Sequence, residues 1–188
     1  MDERQRTRVS KFLSKHLRHT PEAIGITLDT AGWTDIDALL AACAAHGVAL
    51  DRAGLEEIVA TSPKQRFAID PTAQRIRANQ GHSVTVELGL PVVDPPAVLY
   101  HGTGANTVAA ILREGLRPMS RHSVHLSPEV VTATAVGARH GRPVVLVVDA
   151  ARLVAAGFQF SRSENGVWLV NAVPPEFLAP LAATEARP

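Results

Sequence analysis

Apolar and polar residues alternate with two different rhythms along this chain. In the first stretch the rhythm is helical. Val9, Phe12, Leu13 and Leu17 recur at spacings of three and four, which predicts an amphipathic helix over residues 3–18. Pro21 stops it. A short extended piece is expected from Gly25 to Leu28. Thr34 or Asp35 then caps a second helix through about Ala45, ended by Gly47, and Asp51 caps a third through Val59 and Ala60. Arg66-Phe67-Ala68-Ile69 and Arg75-Ile76-Arg77 alternate polar with apolar around Asp70-Pro71-Thr72, the pattern of a β-hairpin. Three helices followed by a hairpin is the outline of a winged helix, shared by nucleic-acid binders and protein-interaction modules.

Residues 80–97 carry Gly89, Pro91, Pro95 and Pro96, a composition that predicts a linker. Beyond it the texture changes. Val98 to Tyr100, Ser123 to Leu126 and Val144 to Val148 read as strands. Asn106 to Arg113 and Glu129 to Arg139 read as helices. Phe158 to Phe160 and Val167 to Val170 read as paired strands around Glu164-Asn165-Gly166. The fold class is α+β, with lobes at 1–90 and 91–188.

Composition narrows the function. The chain has 188 residues, is 46% hydrophobic and carries a net charge of +1, enough for one good core or two small ones. No apolar run reaches the ~18 residues of a membrane span, and MDERQRTRVSKF has no signal-peptide core. The expectation is a cytoplasmic protein. The single cysteine, Cys43, lies in an Ala-rich run and reads as a core residue. No Cys/His spacing suits zinc, so no metal is expected. No segment points to an obligate protein partner.

Charge is local rather than global. Residues 1–20 hold six Lys or Arg against Asp2 and Glu3, and Lys64 to Arg77 hold four against Asp70. Arg4, Arg8, Lys11, Lys15 and Arg18 step by four, three, four and three. That spacing puts them on one stripe of the first helix, either a solvated face or a phosphate-binding one. Arg18-His19 joins a guanidinium, which can grip phosphate, to an imidazole, which exchanges protons near neutral pH. Alternatively the pair caps a helix C-terminus. Lys64 and Arg66 at the hairpin mouth are wing contacts to RNA or ordinary surface cations. Tyr100-His101-Gly102-Thr103-Gly104, between a strand and a helix, suits close approach of backbone to a phosphate. Arg121 and His122 precede Ser123-Val124-His125-Leu126-Ser127, where His125 shares a strand face with Ser123 and Ser127. Trp33 and Trp168 are expected in the core. Aromatics are only 4% of the chain, too few for recognition by base stacking, so contacts to phosphate and backbone are expected instead.

Taken in order, these segments resemble the tRNA 2′-phosphotransferase family. The matching pieces are Leu13-Ser14 through Arg18-His19 and Pro21, Gly32-Trp33, Lys64-Gln65-Arg66-Phe67, Ile76 to Ser83, Tyr100-His101-Gly102-Thr103, Gly115-Leu116 to Met119, Arg121 with His125-Leu126-Ser127, Ser163 to Leu169, and Val173-Pro174. The resemblance implies a winged-helix RNA lobe followed by an ADP-ribosyltransferase-like lobe that binds NAD, which is consumed as co-substrate. It implies a two-step reaction on RNA bearing an internal 2′-phosphate. The phosphate attacks C1″ of the nicotinamide ribose and expels nicotinamide. The 2″-hydroxyl then attacks phosphorus, giving RNA with a free 2′-OH and ADP-ribose 1″,2″-cyclic phosphate.

On this resemblance Arg18, His19, Arg66 and Arg121 form the catalytic set. His101, Gly102, Thr103, His125, Leu126 and Ser127 contact NAD, and Lys11, Lys15 and Lys64 contact RNA. Where many ADP-ribosyltransferases place a base-supplying Glu, this chain has Val167, with Glu164 nearby. An acceptor that is already anionic needs no base in the first step. Three other activities compete. One is ADP-ribosylation of terminal phosphates on RNA or DNA, and another a non-catalytic RNA-binding module. The third, an antibiotic-modifying ADP-ribosyltransferase, leaves the basic N-terminal lobe without a job.

Overall fold

The computed structural model of the protein describes residues 1–119 and 121–182. The chain divides after Gly89 into two units, each with its own core.

In the first unit α1 (Glu3–His16) starts at Asp2, whose carboxylate accepts the Gln5 N–H, and buries Val9, Leu13 and His16. The basic stripe predicted for α1 is solvent-facing, with Arg4, Arg8, Lys11 and Lys15 exposed. Pro21 opens a 3₁₀ turn, Pro21–Ile24, and the residues after it join no strand ladder. β1 (Thr34–Asp35) leads directly into α2 (Ile36–Ala45), where Asp35 supplies the cap by accepting from Ala38 N. α3 (Arg52–Thr61) is capped the same way by Asp51. β2 (Phe67–Asp70) and β3 (Arg75–Ala78) form the hairpin, and the sheet order is β1-β3-β2, all antiparallel. The Asp70 carboxylate holds the turn by accepting the Thr72 and Ala73 N–H groups at 3.0 Å each. These bonds favour the charged form and lower its pKa.

Leu13, Leu17, Ile36, Leu39, Leu55, Phe67 and Ile76 meet in the core of this unit with almost no exposure. Cys43 is buried among them, and burial pushes its thiol up to about 11. It is a core residue, and a nucleophilic thiolate is disfavoured there.

The predicted linker is a correction. Residues 79–89 strap back over the first unit: Ser83 N–H donates to Arg18 O at 2.9 Å and Glu87 N–H to Thr30 O at 2.6 Å. Arg77 donates to the carbonyls of Ala31 and Leu88. Residues 92–93 pair instead with the second unit, through Val93 N–H to Phe160 O. A polar, glycine-containing stretch reads as linker because main-chain bonds and single polar side chains hold it, and no hydrophobic period encodes those.

The second unit holds two three-stranded antiparallel sheets. β4 (Val98–Gly104), β6 (Pro143–Asp149) and β9 (Leu178–Pro180) form one, with β6 central. β5 (Val124–Leu126), β8 (Trp168–Val170) and β7 (Phe160–Arg162) form the other, with β8 central. Both sheets give side chains to one core: Leu99 and Val148 from the first, Val124, Leu126, Phe160, Trp168 and Val170 from the second. α4 (Val108–Glu114), α5 (Val130–Gly137) and α6 (Ala150–Ala155) connect the strands. Pairing throughout is antiparallel, and the molecule is α+β as expected.

β4 runs four residues further than expected, through Gly104. His101-Gly102-Thr103 is therefore strand, paired with Leu146, Val145 and Val144 of β6, not a loop before a helix. Its glycines look like loop residues in the sequence, but packing requires them. A Cβ on Gly102 would stand 1.7 Å from the Ala133 carbonyl oxygen of α5. Backbone cannot move aside as a side chain can, so overpacking here should exceed the usual ~1–3 kcal/mol. Gly102→Ala is expected to lower the melting temperature of the second unit by about 10 °C or more, read by calorimetry. An unchanged melt would show that α5 does not sit this close to β4.

Candidate active-site clusters

The first cluster lies where α1 ends. Arg18 follows the last turn of α1, half-buried, and its guanidinium donates through Nη2 to the Arg66 carbonyl at 3.4 Å. Arg66 stands one residue before β2, where buried Phe67 anchors the chain. Its Nη1 donates to Ser10 Oγ at 3.5 Å. The two arginines thus come together from positions 48 residues apart.

They share a cleft of about 450 Å³ whose lining includes Arg6, Ser10, Lys11, Ser14, Arg18 and Arg66. Glu3 is the carboxylate among its lining residues. Arg6 is paired with Glu57 at 2.9 Å, on a half-exposed surface where an ion pair contributes about 0–1 kcal/mol. Besides that pair, Lys11, Arg18 and Arg66 bring positive charge to the lining. Clustered cations beside serine hydroxyls suit a phosphate dianion, which offers acceptors only.

His19 is exposed and stands beside this cleft rather than in its lining. Its Nδ1 lies 2.9 Å from Ser83 Oγ. Lys15 and Lys64 are exposed and do not line the cleft either. The other two cations of the Lys64–Arg77 stretch are committed elsewhere. Arg75 bridges Asp29 and Asp70, and the Arg77 guanidinium stacks 4.6 Å from the Trp33 ring centre. Trp33 is only half-buried, a platform for arginines rather than a core residue. Trp168 is in the core as expected.

Pattern reading missed two residues that shape this cluster. Asn79, buried, donates from Nδ2 to Gln65 O at 2.7 Å, and its N–H donates to Arg66 O at 2.9 Å. It clamps the chain around Gln65, whose φ of 39° is a conformation side chains rarely adopt. Ser83 is the other. Both fall within the Ile76–Ser83 piece of the resemblance, the one signal that marked them.

The second cluster is in the second unit. Tyr100 and Ser127 exchange backbone hydrogen bonds at 2.8 and 2.9 Å, which stitches β4 to the end of β5. That bridge brings two histidine-bearing strands together, and His101 Nδ1–H donates to the His125 carbonyl at 3.1 Å. The bond fixes the neutral tautomer with a lone pair on Nε2. Burial holds the His101 pKa below the usual imidazole value. The His125 carbonyl works against that shift and the nearby His140 adds to it. Thr103 is buried with its hydroxyl 2.7 Å from that of Thr107. Leu126 is a core side chain and reaches a ligand only through backbone. Ser127 Oγ accepts the Glu129 N–H at 3.1 Å. Arg121 is exposed in the turn before β5.

Because folding depresses the His101 pKa, the unfolded chain binds more protons in acid. The stabilisation is complete above about pH 6.5 and is lost as the pH falls below it. Melts between pH 5 and 8 should therefore show a stability loss on the acid side that shrinks in His101→Asn. An identical acid slope in the variant would exclude His101 as its source.

Comparison with known proteins places the chain in a family. Residues 4–172 match the RNA 2′-phosphotransferase, Tpt1 / KptA family. The chain belongs to this family. A probable RNA 2′-phosphotransferase of Herpetosiphon aurantiacus is 58% identical over 179 residues, covering 95% of this chain and 98% of the relative. Those of Streptomyces griseus and Trichormus variabilis are 57% and 54% identical, each covering 95% of this chain and 98% of the relative. Among the described residues no helix is long and apolar enough to cross a membrane, and no group of three or more His, Cys, Asp or Glu is placed to hold a metal.

Proposed function

We propose that the protein is an NAD-dependent RNA 2′-phosphotransferase: it transfers an internal 2′-phosphate from RNA to the ADP-ribose part of NAD. The observation that carries this reading is the convergence of Arg18 and Arg66 on one cationic cleft, in a chain matched to the family over residues 4–172. The first unit, helix-strand-helix-helix-hairpin in order, is assigned as a winged-helix RNA lobe. The second is assigned as an ADP-ribosyltransferase-like lobe.

The roles follow from the chemistry of each group. Arg18 and Arg66 bind a phosphate carrying about −1.5 to −2 charges at neutral pH, and the resemblance assigns Arg121 the same task. As phosphorus is attacked, they offset the charge that develops. Lys11 lines the cleft and Lys15 and Lys64 flank it, positioned to hold neighbouring phosphates of the strand. His101 presents the Nε2 lone pair of a neutral imidazole, a fit for a ribose hydroxyl. His125 sits on the adjoining strand for the second ribose. NAD supplies the electrophilic C1″ and a good leaving group. Gly102 and Thr103 are strand residues that shape the wall on which His101 stands, and Leu126 and Ser127 do the same for His125.

His19 is the member of the set that can give and take a proton near neutral pH. We assign it to the second step, in which the 2″-hydroxyl must lose a proton and the departing RNA 2′-oxygen must gain one. Nicotinamide release tests the reading: it should depend on RNA with an internal 2′-phosphate, and the same RNA with a 2′-OH should support none. Equal release with both would exclude a 2′-phosphate acceptor.

A further inference from the structure

The segment Asn79-Gln80-Gly81-His82-Ser83 has no part in the chemistry above, yet it runs against the ends of both elements that carry the first cluster. Asn79 holds Gln65 and Arg66 by main chain. Ser83 does the equivalent for Arg18 and His19. Its N–H donates to the Arg18 carbonyl at 2.9 Å, with the Val84 N–H directed to the same oxygen at 3.4 Å. The Arg18 peptide is thereby fixed from outside the helix. The His19 N–H is itself held by Lys15 O at 2.9 Å. With both backbones fixed, Ser83 Oγ stands 2.9 Å from His19 Nδ1.

We propose that Ser83 is the positioning residue for His19, and that its hydroxyl serves the imidazole in either protonation pattern. This rests on the assignment of His19 to the second step of phosphate transfer. A hydroxyl carries one donor and two acceptor sites. When Nδ1 bears the proton, it donates to Ser83 Oγ, and Nε2 is the basic nitrogen. When Nε2 has taken up a proton, the imidazolium still donates from Nδ1 to Ser83 Oγ, and the proton on Nε2 is the acid.

The second step asks for both. The 2″-oxygen forms a bond to phosphorus while the bond from phosphorus to the RNA 2′-oxygen breaks. One proton leaves the 2″-hydroxyl and one arrives on the RNA 2′-oxygen, so the imidazole ends as it began. Because Nδ1 keeps its proton and Ser83 Oγ accepts it in both states, the ring keeps its orientation throughout. Ser83 acts through His19 and does not itself touch the reacting atoms.

Ser83→Ala and Ser83→Thr in the full chain test this, with two readouts. In single-turnover reactions with NAD and a 2′-phosphorylated oligonucleotide, Ser83→Ala should leave nicotinamide release within about twofold of the parent. It should slow the second step about tenfold, the scale of one net hydrogen bond, so that ADP-ribosylated RNA appears transiently. Ser83→Thr keeps the hydroxyl and should restore the parent rate. Separately, the ¹⁵N signals of the His19 ring should move in Ser83→Ala and return in Ser83→Thr. Unchanged His19 signals in Ser83→Ala overturn the contact whether or not the protein turns over. Equal slowing of both steps overturns the positioning role in favour of a general structural one. A parent protein that releases no nicotinamide overturns the functional reading, and the step assigned to Ser83 with it.

Discussion

Replacing Arg66 by alanine is expected to reduce turnover of 2′-phosphorylated RNA by about 10²–10³-fold, the cost of removing one donor from a preorganised anion site. The fold should survive. The Arg66 carbonyl accepts from Asn79 N–H and from Arg18, and the neighbouring core contact belongs to Phe67. Neither main-chain bond needs the Arg66 side chain, so the loss should appear in rate and not in the melting temperature. Arg18→Ala should match it in rate while also freeing the Arg66 carbonyl from one partner. Arg66→Lys should fall between, because an ammonium keeps the charge and loses the planar pair of donors. Single-turnover kinetics beside a thermal melt check all three. A parent-like rate in Arg66→Ala would remove this cleft from the active site.

His19→Ala is expected to divide the reaction. A 2′-phosphate is already an anion and needs no base to displace nicotinamide. The second step moves protons, and losing a positioned acid–base group costs about 10²–10⁴-fold. ADP-ribosylated RNA should therefore accumulate, with nicotinamide released at close to the parent rate. His19 is exposed, so its removal should cost little stability. If nicotinamide release stops as well, His19 belongs to the first step and the assignment made here is wrong.

The elements legible in the sequence were those with strong local rules. Asp35 and Asp51 cap the helices the pattern gave them. The hairpin follows the alternation of Phe67, Ile69 and Ile76. α1 ends two residues before the expected limit, with Leu17 as cap, within the ordinary imprecision of helix ends. The short elements were not legible. β1 spans two residues and β9 three, too few for a period to show. α6 starts directly at the end of β6, with Asp149 as both last strand residue and cap, so no break separates the two rhythms.

The site divided in a similar way. Its charged members stood out by type, and the ordered resemblance assigned them roles. Local structure around them was harder to read. Gly102 looked like a residue for ligand approach, whereas α5 occupies the space its missing side chain leaves. Arg75 and Arg77 looked like part of a basic patch, but carboxylates, carbonyls and Trp33 engage them. Asn79 and Ser83 act through main chain and single hydrogen bonds, which no hydrophobic period encodes. They become visible only once the hairpin has folded back toward the end of α1.

The most direct test of the central claim is the fate of the phosphate. Protein, NAD and a short RNA carrying one internal 2′-phosphate, labelled on that phosphorus, should yield RNA with a 2′-OH and the label in ADP-ribose 1″,2″-cyclic phosphate, with nothing transferred when NAD is left out. A label that stays on the RNA while NAD is untouched, or a stable ADP-ribose cap on a terminal phosphate as the final product, would contradict it.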